Sequence, residues 1–304
     1  MDKKYTQLEI ARIIGEPKDP RKPYPDLVEA ICQTDTADPE EYLYYFDVLE
    51  DTDKIYTTVA NGVTQQAVSL DTPASVTWVD IATPEYYVKI TDLAQKKERV
   101  IARKLNTINR ALNAEENYRV IQVLDSAATG EGNTFDLTSG SNSFTYQNCV
   151  DLIDAIVDYG DNFVLVAGTQ IDKDIKLWDW TSNKYTSLAA AFKDLNVKVI
   201  RIFGSLTRDG NSTSILASTT AYMVANNTNV GKPNLFVRKR LDDISILGGV
   251  ISDEGEKPER LVFSSPNPIT VTGSARYLAV GIIGFEEIVV VNLNPKAIAR
   301  FTRD

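Results

Sequence analysis

The sequence predicts an α+β protein organised around one long helix. Residues 92–127 contain neither Pro nor Gly, and their apolar residues recur at helical spacing. Between residues 145 and 240, short apolar runs alternate with helical segments, which is typical of a sheet covered by helices. The last fifth of the chain is rich in short strand-like runs. At 304 residues, the chain is long enough to bury its own core without disulfides or metals.

The shorter elements follow the same patterns. We expect helices over residues 145–158 and 187–194, and strands over residues 163–168, 197–203 and 221–225. Further strands are expected over residues 260–263, 269–272, 277–283 and 288–292, with a last short helix or turn over residues 295–301. The long helix has an expected length of roughly 50 Å, which is far above the globular average.

Composition excludes several functional classes. The chain carries 42 Asp and Glu against 32 Lys and Arg, for a net charge of −10, which disfavours sequence-specific DNA recognition. Histidine is absent, so Ser/His/Asp and Cys/His catalysis and His-ligated zinc are excluded. Cys32 and Cys149 are too few for a thiolate metal site, and we interpret them as buried small hydrophobes. The sequence therefore predicts no catalytic residue, no cofactor and no metal site.

Membrane and export signals are also missing. No apolar stretch approaches the roughly 18 residues of a membrane span, and no apolar signal-peptide region follows the N-terminal charges. We therefore expect an intracellular-type chain with no membrane partner.

Two kinds of short motif resemble ligand-binding loops, but both lack required residues. Gly231-Lys232 is the end of a possible phosphate-binding loop, but Asn226 stands where the first Gly belongs and Pro233 replaces the Ser or Thr. The Asp-x-Asp pairs at 51–53 and 172–174 lack the Gly and distal Glu of a calcium loop, so we interpret them as solvated turns. An enzyme or small-ligand binder on an α+β scaffold remains an alternative, which a ligand-dependent shift in melting temperature would support.

Residues 1–54 resemble an arm more than a domain. A short helix is expected over residues 8–14, after which Pro17, Pro20, Pro23 and Pro25 favour extended backbone. Such a segment has little core of its own, so we expect it to be disordered or to lie along another surface. Residues 35–53 are acidic and contain several Tyr and Phe side chains.

Residues 55–90 have the pattern of a long β-hairpin. Asn61-Gly62 is a strong hairpin-turn signal, and Asp71-Thr72-Pro73 marks a second turn. Apolar residues recur on both faces of residues 76–81, and a two-stranded ribbon is marginally stable alone. We therefore expect both faces to need a partner, with Trp78 and Tyr86 as candidate intersubunit contacts.

The start of the long helix is strongly basic. Lys96, Arg99, Arg103 and Lys104 are candidate intersubunit contacts because only Glu98 opposes them nearby. The simpler interpretation is a solvated helix face. The alternative is a face that meets an acidic partner, either the acidic arm of a neighbouring copy or a polyanion.

The succession of elements resembles the major capsid protein of tailed bacteriophages, the HK97-type fold. The resemblance rests on the long helix over residues 96–125, on residues 219–240 and on the closing run over residues 285–298, which ends in Asn294-Pro295-Lys296-Ala297. It implies an N-arm (residues 1–54), an E-loop (residues 55–90), a peripheral domain built on a spine helix (residues 91–144 and 241–304) and an axial domain (residues 145–240).

The resemblance also implies a function. Copies are expected to form hexamers and pentamers of an icosahedral shell around double-stranded DNA, with assembly in the host cytoplasm and the mature protein in the virion. A portal is an implied partner, and the presence of a decoration protein is left open. Because residues 1–54 are too short and proline-rich for a scaffolding segment, we expect either a separate scaffolding protein or an upstream segment absent from this chain. No Lys lies between residues 55 and 88, so we expect no covalent cross-link from the E-loop. An encapsulin-like nanocompartment shell, which holds a cargo enzyme, is the alternative within this fold.

Overall fold

The computed structural model of the chain describes residues 23–41, 43–49, 71–89, 98–137, 143–178, 185, 187–208, 211–241, 260–264, 269–270 and 278–303. The helices are α1 (Leu27–Ile31), α2 (Glu98–Glu131), α3 (Tyr146–Asp154), α4 (Thr169–Lys176) and α5 (Leu188–Asp194). The strands are β1 (Cys32–Ala37), β2 (Leu43–Leu49), β3 (Asp71–Thr77), β4 (Val79–Ala82), β5 (Tyr86–Lys89), β6 (Thr134–Leu137), β7 (Asn162–Ala167), β8 (Val197–Arg201), β9 (Ser205–Arg208), β10 (Asn211–Ser214), β11 (Thr220–Asn226), β12 (Asn234–Lys239), β13 (Arg260–Ser264), β14 (Ile269–Thr270), β15 (Leu278–Asn292) and β16 (Ile298–Arg303).

The long helix of the prediction is α2, which we call the spine helix. Its 34 residues span about 51 Å at 1.5 Å per residue. It extends to Glu131, beyond the predicted end near residue 127, and stops at Gly132, whose φ of 74° suits a helix C-terminus. The predicted start at residue 92 lies outside the described residues. The residues that the spine helix buries follow the helical period: Leu105, Ile108, Leu112, Val120, Ile121, Leu124 and Ala128.

A seven-stranded sheet packs against the spine helix and is organised by β15. This 15-residue strand pairs with β12 and β13, and also with β4, β5 and β14. The sequence predicts two strands here, divided near residue 284, and that division is wrong. Gly284 lies within the continuous strand. A glycine fits there because the spine helix approaches closely, and a Cβ at this position would clash with the Ile108 side chain.

A five-stranded sheet forms the second layer, in the order β6-β16-β11-β7-β8. Its central strand β11 is buried along almost its whole length. The spine helix covers one face, and α3, α4 and α5 supply the core on the other. The predicted C-terminal helix or turn is confirmed only for the 3₁₀ turn Pro295–Ala297, because residues 298–303 pair with β11 as strand β16.

The N-terminal segment that precedes β1 belongs to the core from residue 27 onward. Leu27, Val28 and Ile31 of α1 are buried, and β1 pairs in parallel with β12, with Cys32 opposite Asn234. Asn117 of the spine helix holds the start of α1, donating to the Pro25 carbonyl at 2.8 Å and accepting from the Leu27 amide at 3.3 Å. The expected helix over residues 8–14 lies outside the described residues.

Strands β2 and β3 form a separate two-stranded ribbon. They are antiparallel, with Leu43 opposite Thr77 and Leu49 opposite Asp71. The ribbon thus begins earlier than the predicted hairpin, and the predicted turn at Asp71-Thr72-Pro73 is strand instead. Proline is tolerated there because a two-stranded ribbon has only edge strands. The predicted turn at Asn61-Gly62 falls between the two strands in sequence but lies outside the described residues.

Candidate assembly surfaces

The ribbon has one covered face and one open face. Along β2 and β3 the side chains alternate, so Leu43, Tyr45, Ser75 and Thr77 are exposed. Tyr45 is 73% exposed, and its cross-strand neighbour is Ser75. An apolar ring that is open to solvent beside Leu43 is typical of a surface that meets another molecule. We call Leu43, Tyr45, Ser75 and Thr77 the open ribbon face.

The opposite face of the ribbon packs on its own chain. Tyr44, Phe46 and Val76 lie against a small buried cluster that includes Val237 and Val289. The Tyr44 hydroxyl donates to the Asp35 carboxylate at 3.0 Å, and burial together with this carboxylate raises the pKa of Tyr44 to about 12. The ribbon is therefore attached to the body by a modest contact along one face.

Trp78 separates the ribbon from the sheet that follows it. Its ring makes an edge contact with Tyr44, at 6.1 Å between centroids, and the Lys239 ammonium lies 5.4 Å from the ring. The Trp78 Nε1 is buried, and no described residue accepts its hydrogen. The apolar pattern on both faces of residues 76–81 arises because Val76 and Ile81 belong to different sheets and pack into different clusters. An intersubunit role for Trp78 stays a prediction.

Of the other predicted contact residues, the structure brings Tyr86 and Lys104 together. The Lys104 ammonium lies 5.5 Å from the centre of the Tyr86 ring, a favourable cation–π distance. Arg103, one residue earlier, is exposed, and its carbonyl accepts the Thr107 hydroxyl at 2.9 Å. Lys96 lies outside the described residues, and Arg99 is within the spine helix but its side chain is not described.

A cleft of about 830 Å³ lies beside residues 107–119 of the spine helix. Tyr24, Tyr86, Arg110 and Arg119 are among its lining residues. The Arg110 guanidinium lies 4.2 Å from the centre of the Tyr24 ring, and Arg119 bonds Glu115 at 2.9 Å. Both arginines of the cleft thus contact another side chain that lines it. Within the described ranges, no three His, Cys, Asp or Glu side chains are grouped as metal ligands, and no helix is long and apolar enough to cross a membrane.

Sequence reasoning missed the open ribbon face. The sequence assigns Leu43 and Tyr45 to the N-arm because their strand partners lie thirty or more residues further along the chain. Residues 43–46 are all aliphatic or aromatic, so no alternation in the sequence distinguishes the open face from the covered one.

Comparison with known proteins decides the fold. No protein-family model and no curated protein matches the chain, whereas solved structures match it along nearly its whole length. A structure of Mycobacterium phage Adephagia is 13% identical, with a TM-score of 0.58 over 99% of this chain and 98% of that one. The capsid of Cyanophage P-SCSP1u is 11% identical, with a TM-score of 0.57 over 95% and 90%. The capsid of a native GTA particle is 12% identical, with a TM-score of 0.58 over 91% and 89%.

The chain has the HK97-type capsid fold. The expected α+β class and the spine helix are confirmed. A two-stranded ribbon is present, but it begins at Leu43, outside the expected range of residues 55–90. At identities of 11–13%, the similarity lies in the order and packing of elements rather than in shared site residues. Within the HK97-type fold, the ribbon and the basic half of the spine helix are the candidate surfaces for contact between copies.

Proposed function

We propose that the chain is a major capsid protein, which assembles as hexamers and pentamers into an icosahedral shell around the double-stranded DNA of a tailed bacteriophage. The observation that carries this proposal is the match over 95% of the chain to the capsid of Cyanophage P-SCSP1u. The proposed role is structural rather than catalytic. The protein resides in the virion after assembly in the host cytoplasm.

In this proposal, the ribbon of one copy lies over the basic half of the spine helix of another. Residues 43–77 contain five Asp or Glu and a single Lys, whereas residues 96–110 contain six Lys or Arg and a single Glu. Opposite charges at such a contact orient the partners and speed association. Tyr45 on the open ribbon face supplies an aromatic anchor, a residue type that often dominates interface energy. Tyr86, Lys96, Arg99, Arg103 and Lys104 form the receiving surface, and Trp78 fixes the base of the ribbon.

The domain division follows from the same proposal. Residues 1–54 act as the N-arm, 55–90 as the E-loop, 91–144 and 241–304 as the peripheral domain and 145–240 as the axial domain. Strand pairing joins the axial and peripheral ranges, since β12 pairs with β15 and β11 pairs with β16. This interlocking supports a subunit whose peripheral and axial parts move little relative to each other.

Two partners complete the proposal. A separate scaffolding protein guides closure, and a portal occupies one vertex. Because the chain has a net charge of −10, we expect the shell to enclose the packaged DNA without sequence-specific contacts to it. Lys54 lies between β2 and β3 in the sequence, so a lysine next to the ribbon is available for a covalent cross-link even though residues 55–88 contain none. We still predict no cross-link, and a single monomer band from boiled shells on a denaturing gel is the expected result.

Assembly is the property to test first. Size-exclusion chromatography with light scattering, followed by negative-stain imaging of the heavy fraction, should reveal shells or rings of five to six copies. Co-expression with a candidate scaffolding protein from the same genome covers the case in which closure requires one. A chain that stays monomeric with that protein present contradicts the proposal. Co-purification of a cargo enzyme instead of DNA would favour the nanocompartment alternative.

Charge reversal tests the proposed contact itself. The double variant Arg99→Glu/Arg103→Glu should remain folded as a monomer but fail to close shells, because the acidic ribbon then meets an acidic helix. Lys193→Glu/Lys198→Glu, which reverses two exposed cations near the edge strand β8, is the matched control and should assemble. Normal shells from the Arg99/Arg103 variant would rule out the proposed contact without ruling out the shell.

A further inference from the structure

Four charged residues meet beneath the middle of the spine helix. Glu116 comes from the spine helix, Arg238 from β12, Arg260 from the start of β13 and Glu286 from the middle of β15. Glu116 is 4% exposed and Glu286 is fully buried. No sequence pattern pointed to this group, because its members lie up to 170 residues apart in the chain.

The contacts within this group join three strands to the helix. Arg238 donates from Nε and Nη2 to Glu116 Oε1 at 3.1 and 2.9 Å. Arg260 lies between the two acids, with its Nη2 at 2.7 Å from Glu116 Oε2 and its Nε donating to Glu286 Oε2 at 2.6 Å. We call these four residues the spine cluster. Because each arginine joins a strand to a carboxylate on another element, the cluster fixes where the helix sits on the sheet.

Arg260 Nη2 lies close to Glu116 but, like one oxygen of Glu286, it is buried without a hydrogen-bond partner among the described residues. Glu286 is the carboxylate of the spine cluster that has such an atom. Its Oε1 is buried, and no residue in the described part of the chain donates to it. The side chain faces Glu116 from the helix, Arg260 from β13 and Arg238 from β12. On β4 the register partner of Glu286 is the uncharged Ile81, and the nearest acid of that strand, Asp80, is exposed. An ionised carboxylate with one buried, unpartnered oxygen beside another carboxylate is costly, whereas its neutral form is much less so.

The electrostatics agree with this geometry. Burial raises the pKa of Glu286 from its ordinary 4.5 to about 7, the charge of Glu116 adds to the rise, and Arg260 and Arg238 oppose it. Because this pKa is higher in the folded protein, the folded state holds the proton more tightly. The resulting stabilisation is complete below the ordinary pKa of 4.5 and is lost as the pH rises through about 7.

We infer that the spine cluster is a proton-operated latch, in which a proton on Glu286 tightens the attachment of the spine helix to β15 and its loss loosens that attachment. The latch makes the subunit sensitive to pH at its longest helix. The inference does not depend on shell formation, since every member of the cluster belongs to one chain. It can therefore be tested on the unassembled full chain.

Hydrogen exchange of the full chain at pH 6 and pH 8 is the test. After correction for the intrinsic exchange rate, amides of residues 105–124 and of β15 should be about tenfold better protected at pH 6, because the pKa near 7 separates the two conditions. Glu286→Gln keeps an oxygen for Arg260 and cannot titrate. In this variant, the protection of the same amides should therefore be equal at pH 6 and pH 8. The matched control is Glu287→Gln, on the opposite face of the same strand, where Glu287 pairs with Lys239 at 3.0 Å. That variant should keep the tenfold change.

Two further measurements cover the case in which Glu286→Gln does not fold. Glu116→Gln removes the neighbouring negative charge, so the midpoint of the transition should move below 7. Infrared difference spectra of the wild type between pH 8 and pH 6 should gain a carboxylic acid band, because exposed carboxyls titrate near pH 4. Equal protection of the wild type at both pH values, a tenfold change that persists in Glu286→Gln, or the absence of the carboxylic acid band would each overturn the latch.

Discussion

The spine helix and the β2–β3 ribbon are both elongated, but they differ in how much of their surface the same chain covers. The spine helix buries a continuous apolar stripe against residues from both sheets. The ribbon rests on a small cluster, whose buried members among the described residues are Ala37, Val237, Val289 and Val291, and its other face is open. An antiparallel ribbon can keep one face in water, but in the proposed shell a neighbouring copy covers that open face.

The difference also separates two kinds of stability. The contacts of the spine helix should determine whether the monomer folds, and those of the open ribbon face whether copies associate. Substitutions can therefore be chosen that change one property and leave the other intact. They are ordered here by their expected effect on the free energy of unfolding of the unassembled chain.

Truncation of the spine core should have the largest effect. Leu112 is fully buried, and Leu112→Ala should lower the free energy of unfolding by about 2–5 kcal/mol, through lost apolar burial and the cavity that remains. Urea denaturation followed by circular dichroism measures it. Asn113→Ala, at the exposed neighbouring position, should change stability by less than about 0.5 kcal/mol. Similar losses from both variants would mean that the helix is not held by this stripe.

A methyl group added between the spine helix and β15 should have the next largest effect. Gly284→Ala places a Cβ against Ile108 and close to Leu112, and overpacking of this kind costs about 1–3 kcal/mol. Thermal unfolding provides the measurement. Gly130→Ala in the last turn of the same helix is the control, since no atom lies within 4 Å of the added Cβ; it should be neutral or stabilising by about 0.5–1 kcal/mol. A neutral Gly284→Ala would contradict the close packing of helix on strand.

How far the sequence predicts each region follows the same contrast. The spine helix was predictable because its signal is local: no Gly or Pro, and apolar residues at helical spacing. The continuity of β15 was not predictable, because Gly281 and Gly284 indicate a break in the strand. In the structure, these glycines make room for the side chains of Glu85 and Ile108. The place of α1 and β1 in the core was hidden for a similar reason, since β1 pairs with a strand about 200 residues away.

The candidate surfaces were predictable in part. Tyr86 and Lys104 were both selected from the sequence, but their contact depends on how β5 packs beside the spine helix. Tyr45 was missed because its exposure depends on the register of β2 against β3, which local alternation alone does not determine. The spine cluster was invisible because single Arg and Glu residues at distant positions carry no periodicity.

The smallest effect on monomer stability, with a large effect on assembly, is expected at the open ribbon face. Tyr45 is 73% exposed, so Tyr45→Ser should change the free energy of unfolding by no more than about 0.5 kcal/mol. Loss of an aromatic anchor at an interface costs about 2 kcal/mol or more, and each subunit of a shell repeats that loss, so light scattering should detect few or no closed particles. The adjacent residue is a control of the same type: Tyr44 faces the body and bonds Asp35. Tyr44→Ser should therefore destabilise the monomer measurably. If Tyr45→Ser assembled as well as the wild type, the open ribbon face would not be an intersubunit surface, and the contrast between the covered spine helix and the half-covered ribbon would have no consequence for assembly.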